Sequence, residues 1–76
     1  MHLIIFKTNV VTREQACSLL VLLNALPPVT QCNFDLEDCD SILRIVSTDL
    51  ETQLICQLLQ TEGFHCEALE SFVYYQ

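Results

Sequence analysis

Five cysteines carry the most versatile chemistry in this chain. They are Cys17, Cys32, Cys39, Cys56 and Cys66. Thiolates bind soft metal ions and thiols oxidise to disulfides, but no pair here forms C-x-x-C and the gaps match no zinc-site spacing. An odd number without a secretory signal argues against a disulfide scaffold. We therefore expect mostly buried or partly buried cysteines, with Cys39 in an acidic turn as the exposed exception.

Other groups with catalytic or metal-binding chemistry are sparse. The chain has two histidines and three basic residues, and it carries no nucleophile elbow, phosphate loop or metalloprotease helix motif. Four acidic residues cluster around one turn: Asp35, Glu37, Asp38 and Asp40. The turn lacks the glycine and the spacing of a calcium loop, so we expect it to be solvated. The sequence thus predicts a protein that is not an enzyme.

Hydrophobic patterning predicts the elements that position these residues. Alternation predicts four strands, at residues 3–10, 29–36, 42–46 and 64–69. The first helix follows a capping box, in which Thr12 caps the backbone and Gln15 reaches back, and it ends before Pro27. The second helix follows the capping residues 47–49 and ends at Gly63. Its predicted apolar stripe is Leu50, Leu54, Ile55, Leu58 and Leu59.

The element order is strand, helix, strand, strand, helix, strand, which is the ferredoxin-like α+β pattern. Right-handed crossovers put both helices on one face of a four-stranded antiparallel sheet of order 4-1-3-2. We expect a single domain over residues 1–76, with a core at about 3–70 and an aromatic tail at 71–76.

Charge limits the partners that the protein can bind. Ten acidic residues against three basic ones give a net charge of −7, which argues against nucleic acid and against anionic membrane surfaces. No targeting or membrane-spanning segment is visible in the sequence. We therefore expect a cytoplasmic location.

Four short segments stand out by their order and spacing: the entry at residues 6–10, the turn at 26–29, the strand segment at 34–36 and the helix ending at 62–64. Together they resemble the heavy-metal-associated domain family, which includes small copper chaperones. The resemblance covers about residues 3–70. It implies the same ferredoxin-like fold and a metal site in the loop between strand 1 and helix 1, where family members carry C-x-x-C.

The chain departs from the family in that loop. Counted back from the turn at 26–29, the two cysteine positions fall on Thr12 and Gln15, neither of which can supply a thiolate, and the usual Met position falls on Val10. The nearest substitutes as ligands are His65, at the start of strand 4, and Cys17, in helix 1. We expect His65 to be a solvated side chain at a strand edge, with metal ligation by His65 and one cysteine as the alternative.

The sheet face opposite the helices is predicted to be open and apolar. Alternation directs five aliphatic side chains outward: Leu3, Ile5, Ile42, Val46 and Leu69. Such a patch exceeds scattered single exposures and needs a cover. The cover is a second copy in a homodimer, the tail at residues 71–76, or an unidentified protein partner.

Two functions therefore remain open. The first is a non-catalytic interaction module without a cofactor, which has lost the metal ligands. The alternative is a transition-metal protein that binds Cu or Zn weakly through a remodelled site.

Overall fold

Four strands and two helices follow one another in the predicted order. The computed structural model describes residues 1–37, 39–48 and 52–73. The elements are β1 His2–Thr8, α1 Arg13–Asn24, β2 Val29–Asp35, β3 Ile42–Ser47, α2 Thr52–Thr61 and β4 Cys66–Val73. The strands form one antiparallel sheet of order β2-β3-β1-β4. The ferredoxin-like fold and the strand order predicted from the sequence are confirmed.

The hydrophobic core lies between one face of the sheet and both helices. Alternate residues of β1, Ile4 and Phe6, are buried together with one side of each helix. The largest fully buried side chains are Phe6, Ile4, Leu19, Leu23, Leu43, Ile45, Leu59 and Val10. Since both helices contribute to this one cluster, the other face of the sheet is left without a helix.

The first helix begins and ends as its sequence predicts. The Thr12 side chain accepts a hydrogen bond from the backbone of Gln15, and the Gln15 side chain accepts one from the backbone of Thr12, which completes the capping box. The helix ends at Asn24, two residues before Leu26 and ahead of Pro27 and Pro28, which cannot continue it.

The second helix ends in a Schellman turn at Gly63. The backbone N–H of Gly63 donates to Gln60 and that of Phe64 donates to Leu59, while Gly63 adopts a φ of 91°. Ile55 and Leu59 are buried as expected, but Leu54 is 42% exposed, so its place in the apolar stripe was wrong. Leu54 precedes buried Ile55 by one residue, about 100° around the helix. Leu50 and the predicted cap Asp49 lie outside the described residues.

The last strand is longer than the sequence indicates. Residues 71–73, expected in a separate tail, belong to β4 and pair with β1. The register shifts between Ile5 and Phe6, so that Glu70 lies opposite Ile5 and Ala68 opposite Phe6. Leu69 is the extra residue of this bulge. Because a bulge reverses the alternation beyond it, Phe72 lies opposite Leu3 on the open face; residues 74–76 lie outside the described residues.

Candidate functional site

The β1–α1 loop, which holds the metal in the family that the sequence resembles, is closed here by its own hydrogen bonds. Gln15 Oε1 accepts from the backbone N–H of Val11 at 3.2 Å and of Thr12 at 3.3 Å. Thr12 Oγ1 accepts from the Gln15 N–H at 3.1 Å. Both side chains therefore accept hydrogen bonds from backbone N–H groups at and just before the start of α1, where N–H groups otherwise lack a partner.

Residues before the cap fix the same loop to the rest of the fold. The Val10 side chain, at the position that falls on the family's usual Met, is fully buried. Thr8 Oγ1 donates to the carbonyl of Ser41 at 2.7 Å and accepts from the Val10 N–H at 3.3 Å. Asn9 Oδ1 accepts from the backbone N–H of His65 at 2.8 Å, which joins the loop to the start of β4.

The two substitute ligands do not meet. His65 lies in a shallow cleft beside Lys7 and Asn9, whereas Cys17 lies in a groove between α1 and β2. Cys17 is exposed, so the expectation of at least partial burial was wrong for this residue, which lies next to buried Ala16 but on the outer side of the helix. Within residues 1–37, 39–48 and 52–73, no three His, Cys, Asp or Glu side chains cluster to hold a metal ion.

The acidic turn contributes ion pairs rather than an open cation site. Asp35 lies 3.8 Å from Arg44, and Asp40 lies 3.6 Å from Lys7. All four side chains are about half exposed, and such pairs contribute little stability. Asp35 Oδ1 also accepts from the Glu37 N–H at 3.2 Å. Asp38 lies outside the described residues.

The open face of the sheet carries a row of three apolar side chains, Phe72, Leu3 and Val46, which we call the apolar row. Cross-strand partners share a face, and the register places Phe72 beside Leu3 and Leu3 beside Val46. The next row places Glu70 beside Ile5 and Ile5 beside Arg44. Phe72 is 46% exposed, and Leu3, Ile5 and Val46 are half-buried.

Two of the five predicted face residues differ from expectation. Ile42 is buried, with 7% of its surface exposed, because it lies between Lys7 and Asp35 in the ladder and long side chains cover apolar neighbours. Leu69 is 46% exposed but lies in the bulge, without a partner in the β1 register. The sequence alone did not place Phe72 on the open face, because only the bulge in β4 brings it there.

A thiol pair is the other feature that the sequence did not reveal. Cys56 Sγ and Cys66 Sγ are 3.5 Å apart, and Cys56 donates a hydrogen bond to Cys66. Burial, followed by the hydrogen bond and the charge of Cys56, raises the pKa of the Cys66 thiol far above its ordinary value. Burial also raises the pKa of Cys32. The spacing of ten residues gave no signal, because it spans the end of a helix, a turn and the start of a strand.

Comparison with known proteins identifies the fold. No family model matches the chain, and no curated protein matches it. A solved structure of the yeast copper transporter domain CCC2A, determined in the apo and Cu(I)-loaded states, superposes with a TM-score of 0.82. The match covers 92% of this chain and 97% of that one at 19% sequence identity. The chain has a heavy-metal-associated-like fold.

That likeness concerns the fold alone. It confirms the architecture implied by the short segments at residues 6–10, 26–29, 34–36 and 62–64. Within the described part of the chain, no helix is both long enough and apolar enough to cross a membrane.

Proposed function

We propose that this chain is a non-catalytic interaction module that associates with a second copy through the open face of its sheet, and that its β1–α1 loop holds no metal. The observation that carries the proposal is the capping box. Thr12 and Gln15 occupy the positions where the resembling family has thiolates, and both side chains are engaged by backbone N–H groups of the loop. A hydroxyl and an amide are poor ligands for Cu(I), which prefers sulfur.

The apolar row supports an interaction through the open face. Phe72, Leu3 and Val46 lie side by side across three strands, and burying such side chains stabilises an interface at about 25 cal/mol per Å². Residues 71–73 are part of β4, so this part of the expected tail contributes to the face instead of folding over it.

Charges in the neighbouring row favour a second copy as the partner. Glu70 and Arg44 lie on opposite sides of Ile5. A two-fold axis parallel to β1 would place Ile5 against Ile5, and Glu70 of each copy opposite Arg44 of the other, which makes the row self-complementary. In the next row along β1, Lys7 of one copy would face Lys7 of the other. Each of these lysines already pairs with Asp40 of its own chain at 3.6 Å.

Sedimentation equilibrium of the full chain at low and high salt tests this proposal. The net charge of −7 on each copy opposes association, and at physiological ionic strength salt screens the repulsion between charges more than about 8 Å apart. The dimer should therefore strengthen as salt rises. The variant Ile5→Lys with Val46→Lys should be monomeric. The control Val21→Lys with Gln57→Lys adds the same charge at exposed positions on the two helices, away from the open face, and should still associate. A parent chain that is monomeric at high salt contradicts the proposal.

The location and the excluded partners belong to the same proposal. We propose that the protein is cytoplasmic and that it binds neither nucleic acid nor membranes. The net charge of −7 supports the exclusion of both kinds of anionic partner. A second candidate, weak binding of Cu or Zn, is favoured by the likeness to a copper transporter domain. It would use His65 or Cys17, which line separate clefts.

A further inference from the structure

The Cys56 and Cys66 sulfurs lie where α2 packs against the edge strand β4. Their separation of 3.5 Å is a direct contact between two free thiols. Both residues are half-buried against the core, and neither belongs to the apolar row or to the capped loop. The contact between the two thiols is therefore independent of dimerisation through the open face.

We propose that Cys56 and Cys66 are a modification site, at which a hydroperoxide oxidises the two thiols to a reversible disulfide that joins α2 to β4. In the first step, the Cys56 sulfur attacks the terminal peroxide oxygen, so that the O–O bond breaks and the S–O bond of a sulfenic acid forms. The leaving oxygen takes the Cys56 thiol proton and departs as water from hydrogen peroxide, or as an alcohol from an organic hydroperoxide. In the second step, the Cys66 sulfur attacks the Cys56 sulfur; the S–S bond forms, the S–O bond breaks and water carries away the Cys66 proton.

The geometry requires only small movements. A disulfide bond is about 2.05 Å long, so the sulfurs must approach by about 1.5 Å. Cys66 is held in the ladder opposite Thr8 and Cys56 lies within α2, so rotation of the two side chains supplies the approach. Cys56 and Cys66 lie on either side of the turn at Gly63 in the sequence, and the space where a Cβ of residue 63 would lie is open.

The environment of the pair sets the order of the two steps. Cys66 retains its proton, because burial and the adjacent Cys56 raise its pKa. Cys56 is therefore the sulfur that meets the peroxide, and Cys66 is the sulfur that resolves the sulfenic acid. The remaining partly buried thiol, Cys32, donates instead to Asn24 Oδ1 at 3.4 Å.

The test uses the full chain with Cys17→Ser and Cys39→Ser, which removes both exposed thiols. The protein is treated with hydrogen peroxide, its free thiols are blocked with a maleimide, and it is digested with a glutamate-specific protease. Cleavage after Glu62 places Cys56 and Cys66 on different peptides. We expect a linked pair of these peptides, loss of two of the three remaining thiols, and recovery of both on reduction with dithiothreitol.

Two controls separate this pair from general oxidation. Adding Cys56→Ser or Cys66→Ala should abolish the linked peptides and leave Cys32 unmodified. Linked peptides that contain Cys32 would overturn the proposal, as would oxidation of Cys56 to sulfinic acid without any cross-link while the circular dichroism spectrum stays native. If the serine background does not fold, the parent chain is treated in the same way, and linkage of Cys56 to Cys66 is read from the same two peptides.

Discussion

Gly63 adopts a left-handed backbone conformation at the end of α2. Its φ of 91° lies in the region that side chains with a Cβ disfavour, yet nothing lies within 4 Å of the position that a Cβ would occupy. We expect Gly63→Ala to lower the free energy of unfolding by about 1 kcal/mol through backbone strain alone. Gly63→Asn should cost less, because asparagine adopts this conformation more readily.

Urea unfolding of the three proteins measures this difference, and all three curves should have the same slope. Equal stability of the parent and Gly63→Ala would mean that the turn relaxes without cost, and the Schellman geometry would then not stabilise the end of α2.

Single-residue burial was the least predictable property of the sequence. The cysteines illustrate the difficulty, because their small apolar character suggested burial for most of them. Cys17 is nevertheless exposed, since it lies next to buried Ala16 on the helix and turns outward. Residue type gives only a preference for burial, whereas the rotation of a helix about its axis decides the outcome.

At the scale of elements, the N-terminus of α1 gives a test of how the loop aligns with the metal-binding family. Thr12→Cys with Gln15→Cys places two thiols at the helix start, where the helix dipole favours thiolates. We expect this variant to bind Cu(I) more tightly than the parent in competition with a chromogenic chelator. Loss of the cap should lower the free energy of unfolding by about 1 kcal/mol.

The matched control is Thr12→Ser with Gln15→Ser, which changes the same positions without adding sulfur. If the folded cysteine variant binds Cu(I) no better than the parent, the loop is not aligned as the segment spacing suggests. If the parent itself binds tightly and loses this affinity on Cys17→Ser or His65→Ala, the transition-metal alternative gains support.

The sequence predicted the element order and the capping box because both rest on short local patterns. It predicted the strand order because right-handed crossovers restrict how strands of this order can be arranged. It did not predict the bulge in β4, since alternation alone cannot show where one extra residue enters a strand. The extra residue, Leu69, shifts the register so that Phe72 lies beside Leu3. The contact between Cys56 and Cys66 was likewise hidden, because it depends on how a helix packs on a strand across a turn.

At the scale of the whole molecule, the helices leave one face of the sheet uncovered and the capped loop engages its own side chains. The central claim is that this open face, rather than the loop, is where the protein binds a partner. Backbone amide chemical shifts followed over a hundredfold range of protein concentration at high salt test the claim residue by residue.

We expect concentration-dependent shifts at Leu3, Ile5, Val46 and Phe72. Helix α1 and the loop around Thr12 should stay unchanged. Shifts concentrated on the helices or the loop would contradict the claim. So would an absence of shifts combined with the rotational correlation time of a monomer at every concentration.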